Sequence, residues 1–409
     1  MVPNGWELRE LKELTTIYDG THATPKYVES GVPFYSVEHL TKGDFSKTKF
    51  ITEEVFDKEN KRVKLERHDI LMTRIGDIGT AVHLDWDVRA SFYVSLALLK
   101  ATSNFDSSFM TQYINSSEFH RELWKRIIHV AFPKKINLGE IGKCHVCLPP
   151  LPEQRKIATI LGTWDKAIST TERLIDNSKQ QKKALMQQLL TGKKRLLDDS
   201  GKPFEGEWGE VNIGSTSKCF SGGTPSRNKE EYYGGNIPWI TSGKLNDRYV
   251  GTVNEYISEL GLKNSSAKVV KNGSLLIAMY GATAGKVAIN KLNGATVNQA
   301  VLALEPMEHC HNLFLFYLFE VEMVKALKLV QGGQPNLSAT IIKNIKIKLP
   351  PLDEQQKIAS VLVNADKEIE LLEQQLADLK REKKALMQQL LTGKRRVKVD
   401  ERKSHNVKR

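Results

Sequence analysis

Two short segments of the sequence combine residue types that could support chemistry. The first runs from Gly281 to Val287, reads GATAGKV and resembles a phosphate-binding loop. A phosphate-binding loop has four residues between its glycines and a Ser or Thr after the lysine. This segment instead has three residues between Gly281 and Gly285, and Val287 follows Lys286. We therefore interpret it as a β-turn.

The second segment contains Cys144 and Cys147, whose spacing is found in redox and zinc sites. No second pair with this spacing occurs, and the matching positions later in the chain are Ile345 and Lys348. We interpret the segment as part of a β-strand.

Other catalytic patterns are missing from the sequence. It contains no G-x-G-x-x-G fingerprint for a nucleotide or methyl-donor cofactor and no H-E-x-x-H spacing among its ten histidines. It also lacks a methyltransferase loop with Asn-Pro-Pro or Asp-Pro-Pro before an aromatic residue, and a nuclease-type Asp…Glu-x-Lys cluster. The sequence therefore predicts a binding subunit without catalytic residues, metal ligands or a cofactor of its own.

A repeated segment indicates how the chain is organised. Leu148–Arg195 and Leu349–Arg396 lie 201 residues apart and are identical at 28 of 48 positions without a gap. A repeat of this length is too long for a solenoid unit, and it predicts two similar halves.

The repeated segment has the pattern of a long helix that pairs with its own copy. Its apolar positions alternate steps of 4 and 3, which is the seam of a coiled coil. The first copy is predicted to be helical from Glu153 to Leu190, and Gly192 and Gly393 have the position of helix C-cap glycines. Two amphipathic helices on separate cores are the alternative. The predicted seam residues are Ile157, Leu161, Trp164, Ile168, Ile175, Leu185, Leu189, Ile358, Leu362, Ile369, Leu372, Leu376, Leu379, Leu386 and Leu390.

The segments outside the repeat also correspond to each other, although more weakly. Short apolar runs separated by Gly, Pro and Asn alternate with a helix, predicted at Ser107–Trp124 in one half and at Cys310–Leu329 in the other. The sequence therefore predicts two α/β domains, at residues 1–147 and 205–348. The spacer helices would occupy residues 148–204 and 349–409, the latter with a basic tail.

Composition narrows the choice of partner and compartment. The formal net charge is +12, and residues 380–409 alone hold 12 Lys and Arg against 3 acidic residues, which suggests a polyanionic partner. The longest apolar run, Leu313–Phe319, is too short to span a bilayer, so no membrane partner is expected. Four cysteines without a disulfide framework and an N-terminus without a signal peptide favour the cytoplasm.

Several motifs together resemble the specificity subunit of a type I restriction–modification system. They are LPPLxEQxKIAxxL at Leu148 and Leu349, KALMQQLLTGK at Lys183 and Lys384, GGTPSR at Gly222, NIPWITSG at Asn236 and LVQGGQPNLS at Leu329. A single Trp near the start of each half, Trp6 and Trp208, also fits. One departure is Phe132–Asn137, which replaces the Gly-rich Gln331–Asn336 of the second half.

The resemblance implies a specific architecture and set of partners. Each α/β domain would be a target recognition domain that reads one half of a bipartite double-stranded DNA sequence. The two helices would form an antiparallel coiled coil with pseudo-twofold symmetry that sets the spacing. Two methyltransferase subunits, which use S-adenosylmethionine, would bind this scaffold. Two restriction subunits, which use ATP and magnesium, would join them.

Within this hypothesis, the expected DNA contacts are polar and basic residues of the Gly- and Pro-rich loops. They are His22, Thr24, Lys26, Arg74, Lys134 and Lys135 in the first domain, and Thr224, Ser226, Arg227, Lys244, Tyr280, Lys286, Gln334 and Asn336 in the second.

Two other classes of function stay open at this point. A stand-alone DNA-binding regulator or antirestriction adaptor would bind DNA without a methyltransferase partner. A catalytic protein with an unrecognised site would show turnover as an isolated chain.

Overall fold

The computed structural model describes residues 2–329 and 336–399. Within these residues the chain forms two compact units. Unit 1 contains residues 2–173 together with 374–399, and unit 2 contains residues 174–329 and 336–373.

Unit 1 contains three small sheets. The first sheet has four strands in the order β2-β8-β5-β6, and all its neighbouring strands are antiparallel. The second sheet has three strands in the order β4-β3-β7, of which β3 and β7 are parallel. Strands β1 and β9 form an antiparallel pair. The strands are β1 Glu7–Glu10, β2 Ile17–Asp19, β3 Val32–Tyr35, β4 Lys49–Ile51, β5 Ile70–Ile75, β6 Asp77–His83, β7 Ser91–Phe92, β8 Leu96–Leu99 and β9 His145–Leu148.

The helix predicted at Ser107–Trp124 is interrupted in unit 1. The Asn115 side chain bonds both the amide and the carbonyl of Ala81, and Ser116 Oγ accepts from Phe119 N at 3.3 Å to start a new helix. The first seven helices are α1 Leu11–Leu14, α2 Val37–Lys42, α3 Glu53–Asn60, α4 Ser107–Ile114, α5 Ser117–Trp124, α6 Leu138–Gly142 and α7 Leu151–Leu189.

Unit 2 repeats the strand order of unit 1 with one addition. Its sheets are ordered β11-β18-β15-β16-β13, β14-β12-β17 and β10-β19, so only β13 has no counterpart. The strands are β10 Gly209–Asn212, β11 Ser217–Ser221, β12 Tyr233–Ile240, β13 Tyr249–Val250, β14 Glu255–Ile257, β15 Leu275–Ala278, β16 Val287–Asn290, β17 Thr296–Val297, β18 Val301–Pro306 and β19 Lys346–Leu349. The helices are α8 Ile213–Thr216, α9 Glu259–Lys263, α10 Asn312–Leu329, α11 Ala339–Asn344 and α12 Leu352–Leu390, with short 3₁₀ turns at Glu230–Tyr232 and Ser242–Asn246.

The shared strand order confirms the prediction of two similar α/β domains. The turn interpretation of the Gly281 segment agrees with the structure, since Ala284 N donates to Gly281 O at 3.1 Å. Cys147 lies in β9 and Cys144 directly precedes it. Nowhere in residues 2–329 and 336–399 do three or more His, Cys, Asp or Glu side chains form a group able to hold a metal ion. No helix in the same ranges is long and apolar enough to cross a membrane.

Each repeated segment forms one long helix of 39 residues, α7 and α12. Both begin directly after a Pro-Pro pair, because the residue before a proline is disfavoured in helical conformation. Both end before a glycine with positive φ, Gly192 at 70° and Gly393 at 67°. These are left-handed C-cap positions, as the sequence predicted.

The two long helices pair antiparallel within each unit. In unit 1, Ile157 and Leu161 near the start of α7 share a core with Leu390 at the end of α12. In unit 2, Ile358 near the start of α12 shares a core with Leu189 at the end of α7. All the predicted seam residues are buried or partly buried.

A buried carboxylate fixes the first turn of each long helix. In unit 1, Glu153 accepts from Trp6 Nε1 at 3.2 Å and from two nitrogens of Arg396, each at 2.7 Å. We call this arrangement a Trp–Glu–Arg cluster. It explains the single Trp near the start of the chain.

Unit 2 contains the equivalent Trp–Glu–Arg cluster. Glu354 accepts from Trp208 Nε1 at 3.1 Å and from Arg195 at 3.1 and 2.7 Å. In both units the arginine follows the end of one long helix and the glutamate begins the other. The repeated sequence therefore encodes the antiparallel pairing twice.

Candidate nucleic-acid interface

In both units a glycine lets the candidate loop pass close to a neighbouring strand. A Cβ at Gly20 would lie 2.1 Å from Phe92 O, and a Cβ at Gly222 would lie 1.7 Å from Val297 O. Only glycine fits such an approach. The loops that follow β2 and β11 are therefore held over β7 and β17, respectively.

In unit 1 this loop surrounds a buried carboxylate at the end of β2. Asp19 accepts from Arg62 Nη1 at 2.7 Å and lies 2.8 Å from His22 Nε2. Burial opposes ionisation, but the hydrogen bonds from Arg62 and His22 outweigh it and lower the pKa of Asp19. The carboxylate thus fixes two basic side chains, both substantially exposed, on one edge of the unit.

Arg74 has a different environment from the one that its sequence position suggested. It is 8% exposed, and its guanidinium donates to Val94 O at 2.9 Å and to Ile136 O at 3.0 Å. It also lies 3.6 Å from Asp19. Burial lowers its pKa, while Asp19 opposes that shift. These contacts join the loop after β2 to the segment before α6, so we regard Arg74 as a positioning residue.

The remaining candidates of unit 1 lie on the two loops that Arg74 joins. Thr24 Oγ1 is 3.1 Å from the hydroxyl of Tyr93, and Lys26 is exposed. Lys134 and Lys135 flank the β5–β6 turn, where Gly76 N donates to Lys134 O at 2.9 Å.

In unit 2 aromatic side chains support the segment that begins at Gly222. Trp239 Nε1 donates to Gly223 O at 3.1 Å. Arg227 lies over the rings of Tyr233 and Trp239 at 4.6 and 5.1 Å, and pairs with Glu255 at 2.6 Å. Arg227 is thus paired through one nitrogen with Glu255 within the unit, while its planar face stacks on the aromatic rings.

Two separate contacts in unit 2 involve candidate residues. Thr224 donates to the side chain of Gln299. Tyr280 pairs with Asn336 through an isolated backbone bridge, beside the turn that leads to the exposed Lys286.

Three candidates of unit 2 remain. Ser226 is exposed, and Lys244 pairs with Asp247 at 2.8 Å. Gln334 lies outside the described residues.

Sequence reasoning missed three polar side chains at these loops. They are Arg62 and Tyr93 in unit 1 and Gln299 in unit 2. A sequence signal existed for Tyr93 and Gln299, because both lie at the start of a run that aligns between the two halves of the sequence, residues 93–99 with 298–304. Arg62 had none, because its role depends on contact with Asp19, which is 43 residues away in sequence.

Comparison with known proteins agrees with the duplicated architecture. The type I restriction modification DNA specificity domain matches this chain twice, over residues 3–178 and 205–381. The chain therefore belongs to the family of type I restriction–modification specificity subunits.

Individual relatives are similar over the whole chain or half of it. The MjaVIII specificity subunit of Methanocaldococcus jannaschii is 28% identical over 428 residues, which cover 97% of this chain and 94% of the relative. The EcoR124I/EcoR124II specificity subunit of Escherichia coli is 30% identical over 176 residues, which cover 41% and 42% of the two chains.

Solved structures share the fold at low sequence identity. A chain from a type I R-M system, solved to explain complex assembly and conformational transition, has a TM-score of 0.60 at 18% identity and covers 96% of this chain and 98% of its own length. The S subunit of M. genitalium has a TM-score of 0.58 at 14% identity and covers 95% and 97%.

Proposed function

We propose that this chain is the sequence-specific DNA-recognition subunit of a type I restriction–modification enzyme and performs no catalysis itself. Each unit reads one half of a bipartite duplex site through the loops after β2 and β11 and the turns beside them. The antiparallel helices set the distance between the half-sites and dock the methyltransferase subunits.

One observation supports this proposal above the others. The same backbone frame occurs twice, with a glycine-dependent loop at the same place, yet the side chains it presents differ. Unit 1 presents His22, Arg62 and Lys134, and unit 2 presents Thr224, Arg227 and Gln299. Two frames that are alike but present different donors and acceptors suit two different base sequences.

The proposed partners are the other subunits of a type I restriction–modification enzyme. Two methyltransferase subunits would bring S-adenosylmethionine, and two restriction subunits would bring ATP and magnesium, while the chain itself holds no cofactor. The complex would act in the cytoplasm, where its DNA target is located. Lysine and arginine contacts with phosphates would make affinity fall as salt rises.

Mapping of methylated adenines tests the proposal directly. The genome of a host strain that expresses the methyltransferase subunit is sequenced for methylation with and without this chain. We expect a bipartite methylated sequence that appears only when the chain is present. Tight sequence-specific binding by the isolated chain, with no methylation and no co-purifying partner, would instead indicate a stand-alone regulator.

The spacing role has its own test. Four residues inserted after Gln188 lengthen α7 by about 6 Å. We expect both half-sites to stay the same while the unspecified gap between them grows by one or two base pairs, since each base pair rises about 3.4 Å. Full activity with an unchanged gap would show that the helices do not set the spacing.

A further inference from the structure

One loop of unit 1 presents apolar side chains to solvent. Val130 is 97% exposed and Phe132 is fully exposed at 104%. Trp124, at the base of the same loop, is 58% exposed. Single exposed apolar residues are common, but three on one short segment suggest that something covers them.

The backbone holds this loop in a defined position. Ile128 N donates to Lys135 O at 2.8 Å, which closes the loop at its base. Gly76 N donates to Lys134 O at 2.9 Å, which fixes the same base against the β5–β6 turn. Phe132 therefore projects from an anchored support.

The charges around the loop favour a polyanion. No Asp or Glu occurs from residue 123 to residue 139. Glu122 pairs with both Lys125 and Arg126, at 2.6 and 2.9 Å, and so offsets one of their two positive charges. Within residues 2–329 and 336–399, Lys134 and Lys135 form no ion pair, and Lys134 Nζ lies 5.0 Å from the centre of the Trp124 ring.

We propose that Phe132 is a wedge that enters between adjacent base pairs of the half-site read by unit 1, while Lys134 and Lys135 contact the flanking phosphates. An apolar side chain close to two lysines matches a stacked base step beside a charged backbone. The inference rests on the DNA-recognition role proposed above. It adds a residue that distorts the duplex and does not read base edges.

The second half of the chain supplies an internal comparison. At the corresponding place in the sequence it has Gln331–Asn336, which contains no aromatic residue. The wedge should therefore act on one half-site only.

Fluorescence of 2-aminopurine tests the proposal. The complex of the full chain with its methyltransferase is titrated with short duplexes that carry the mapped site, each with 2-aminopurine at one step of one half-site. Unstacking should raise the fluorescence at one step of the first half-site. Phe132→Ala should abolish that increase and weaken binding about tenfold, which is toward the low end for base–aromatic stacking. Phe132→Leu should retain most of both effects.

Controls separate the possible outcomes. Leu8→Ala also trims an exposed apolar side chain of unit 1 and should change neither quantity. Unchanged fluorescence and affinity in Phe132→Ala would overturn the proposal. Loss of the methyltransferase from the complex, with DNA binding by the free chain unchanged, would overturn it in favour of a protein-docking loop. If the wild-type complex binds no specific duplex, the DNA-recognition role itself fails.

Discussion

Glu153 in unit 1 and Glu354 in unit 2 make the same contacts, whereas Arg74 in unit 1 is matched by Met279 in unit 2. The match at the second position follows from the backbone: Arg74 N donates to Ser95 O, and Met279 N donates to Ala300 O, at 2.9 and 2.8 Å. The two glutamates therefore make equivalent hydrogen bonds, whereas the arginine of unit 1 is replaced by a methionine that has no side-chain donor. The difference separates positions that hold the helices from positions that shape the loops.

Two equivalent aspartates, each where a domain meets the long helices, keep one contact and change the others. Asp165 pairs with Lys383 and accepts from Gln112 in unit 1. The equivalent Asp366 pairs with Lys182 at the same distance of 2.5 Å, but its other donors are Tyr317 and Arg248. The helix side of the contact is repeated, and the domain side is replaced.

The largest expected effect is at the Trp–Glu–Arg clusters. Glu153→Ala and Glu354→Ala should each lower the free energy of local unfolding by about 3 kcal/mol, because charge-assisted hydrogen bonds are lost and an indole donor stays unpaired. Hydrogen exchange in the first turn of the affected helix measures the loss. Since the contacts match, the two variants should agree within about 0.5 kcal/mol, an ordinary tolerance for independent sites. The exposed Glu172→Ala is the control, and a clear inequality would contradict the equivalence of the clusters.

The second largest effect is expected from exchanging Arg74 for the methionine found at the equivalent position 279. Arg74→Met places the residue of unit 2 in unit 1 and removes hydrogen bonds to Val94 O and Ile136 O. The buried Ile136 carbonyl and the partly buried Val94 carbonyl lose a charged donor, so we expect about 2–3 kcal/mol of destabilisation, measured by urea denaturation. Methylation should become less selective at the half-site read by unit 1 only. Equal loss at both half-sites would show that Arg74 does not act through its own loops.

These comparisons also indicate what the sequence alone could predict. The long helices, their seam and their terminal glycines were predictable, because periodicity and capping are local signals. The roles of Glu153 and Trp6 were not, since the contact joins residues 147 apart. The burial of Arg74 was not predictable, because a basic residue beside an apolar run gives no sign of whether its side chain points into the unit. The break at Asn115 depends on a tertiary bond with Ala81 and was likewise missed.

The third effect is a loss of folding stability of unit 1 at acidic pH. Burial alone would raise the pKa of Glu122, but Lys125, the His145 amide and Arg126 lower it from 4.5 to about 2. A lowered pKa means that the carboxylate stabilises the folded state above pH 4.5 and loses this contribution as pH falls toward 2.

The variant Glu122→Gln isolates this contribution. It should lower stability at neutral pH by about 1–2 kcal/mol, allowing for partial solvent screening, and should flatten the dependence of stability on pH below 4.5. Urea denaturation of wild type and variant across this pH range measures both. Parallel curves at all pH values would show that Glu122 does not titrate with folding.

The smallest effect comes from the exposed ion pairs of the long helices. Glu172 pairs with Lys380 in unit 1, and Glu373 pairs with Lys179 in unit 2, both at 2.7 Å. All four side chains are about half exposed. Solvent screening and side-chain entropy should therefore limit each coupling energy to about 0.4 kcal/mol. Double-mutant cycles with alanine, followed by denaturation at low and high salt, should give equal values that decline with salt. A coupling well above 1 kcal/mol in one unit alone would mean that the two pairs, although repeated in sequence, differ in their surroundings.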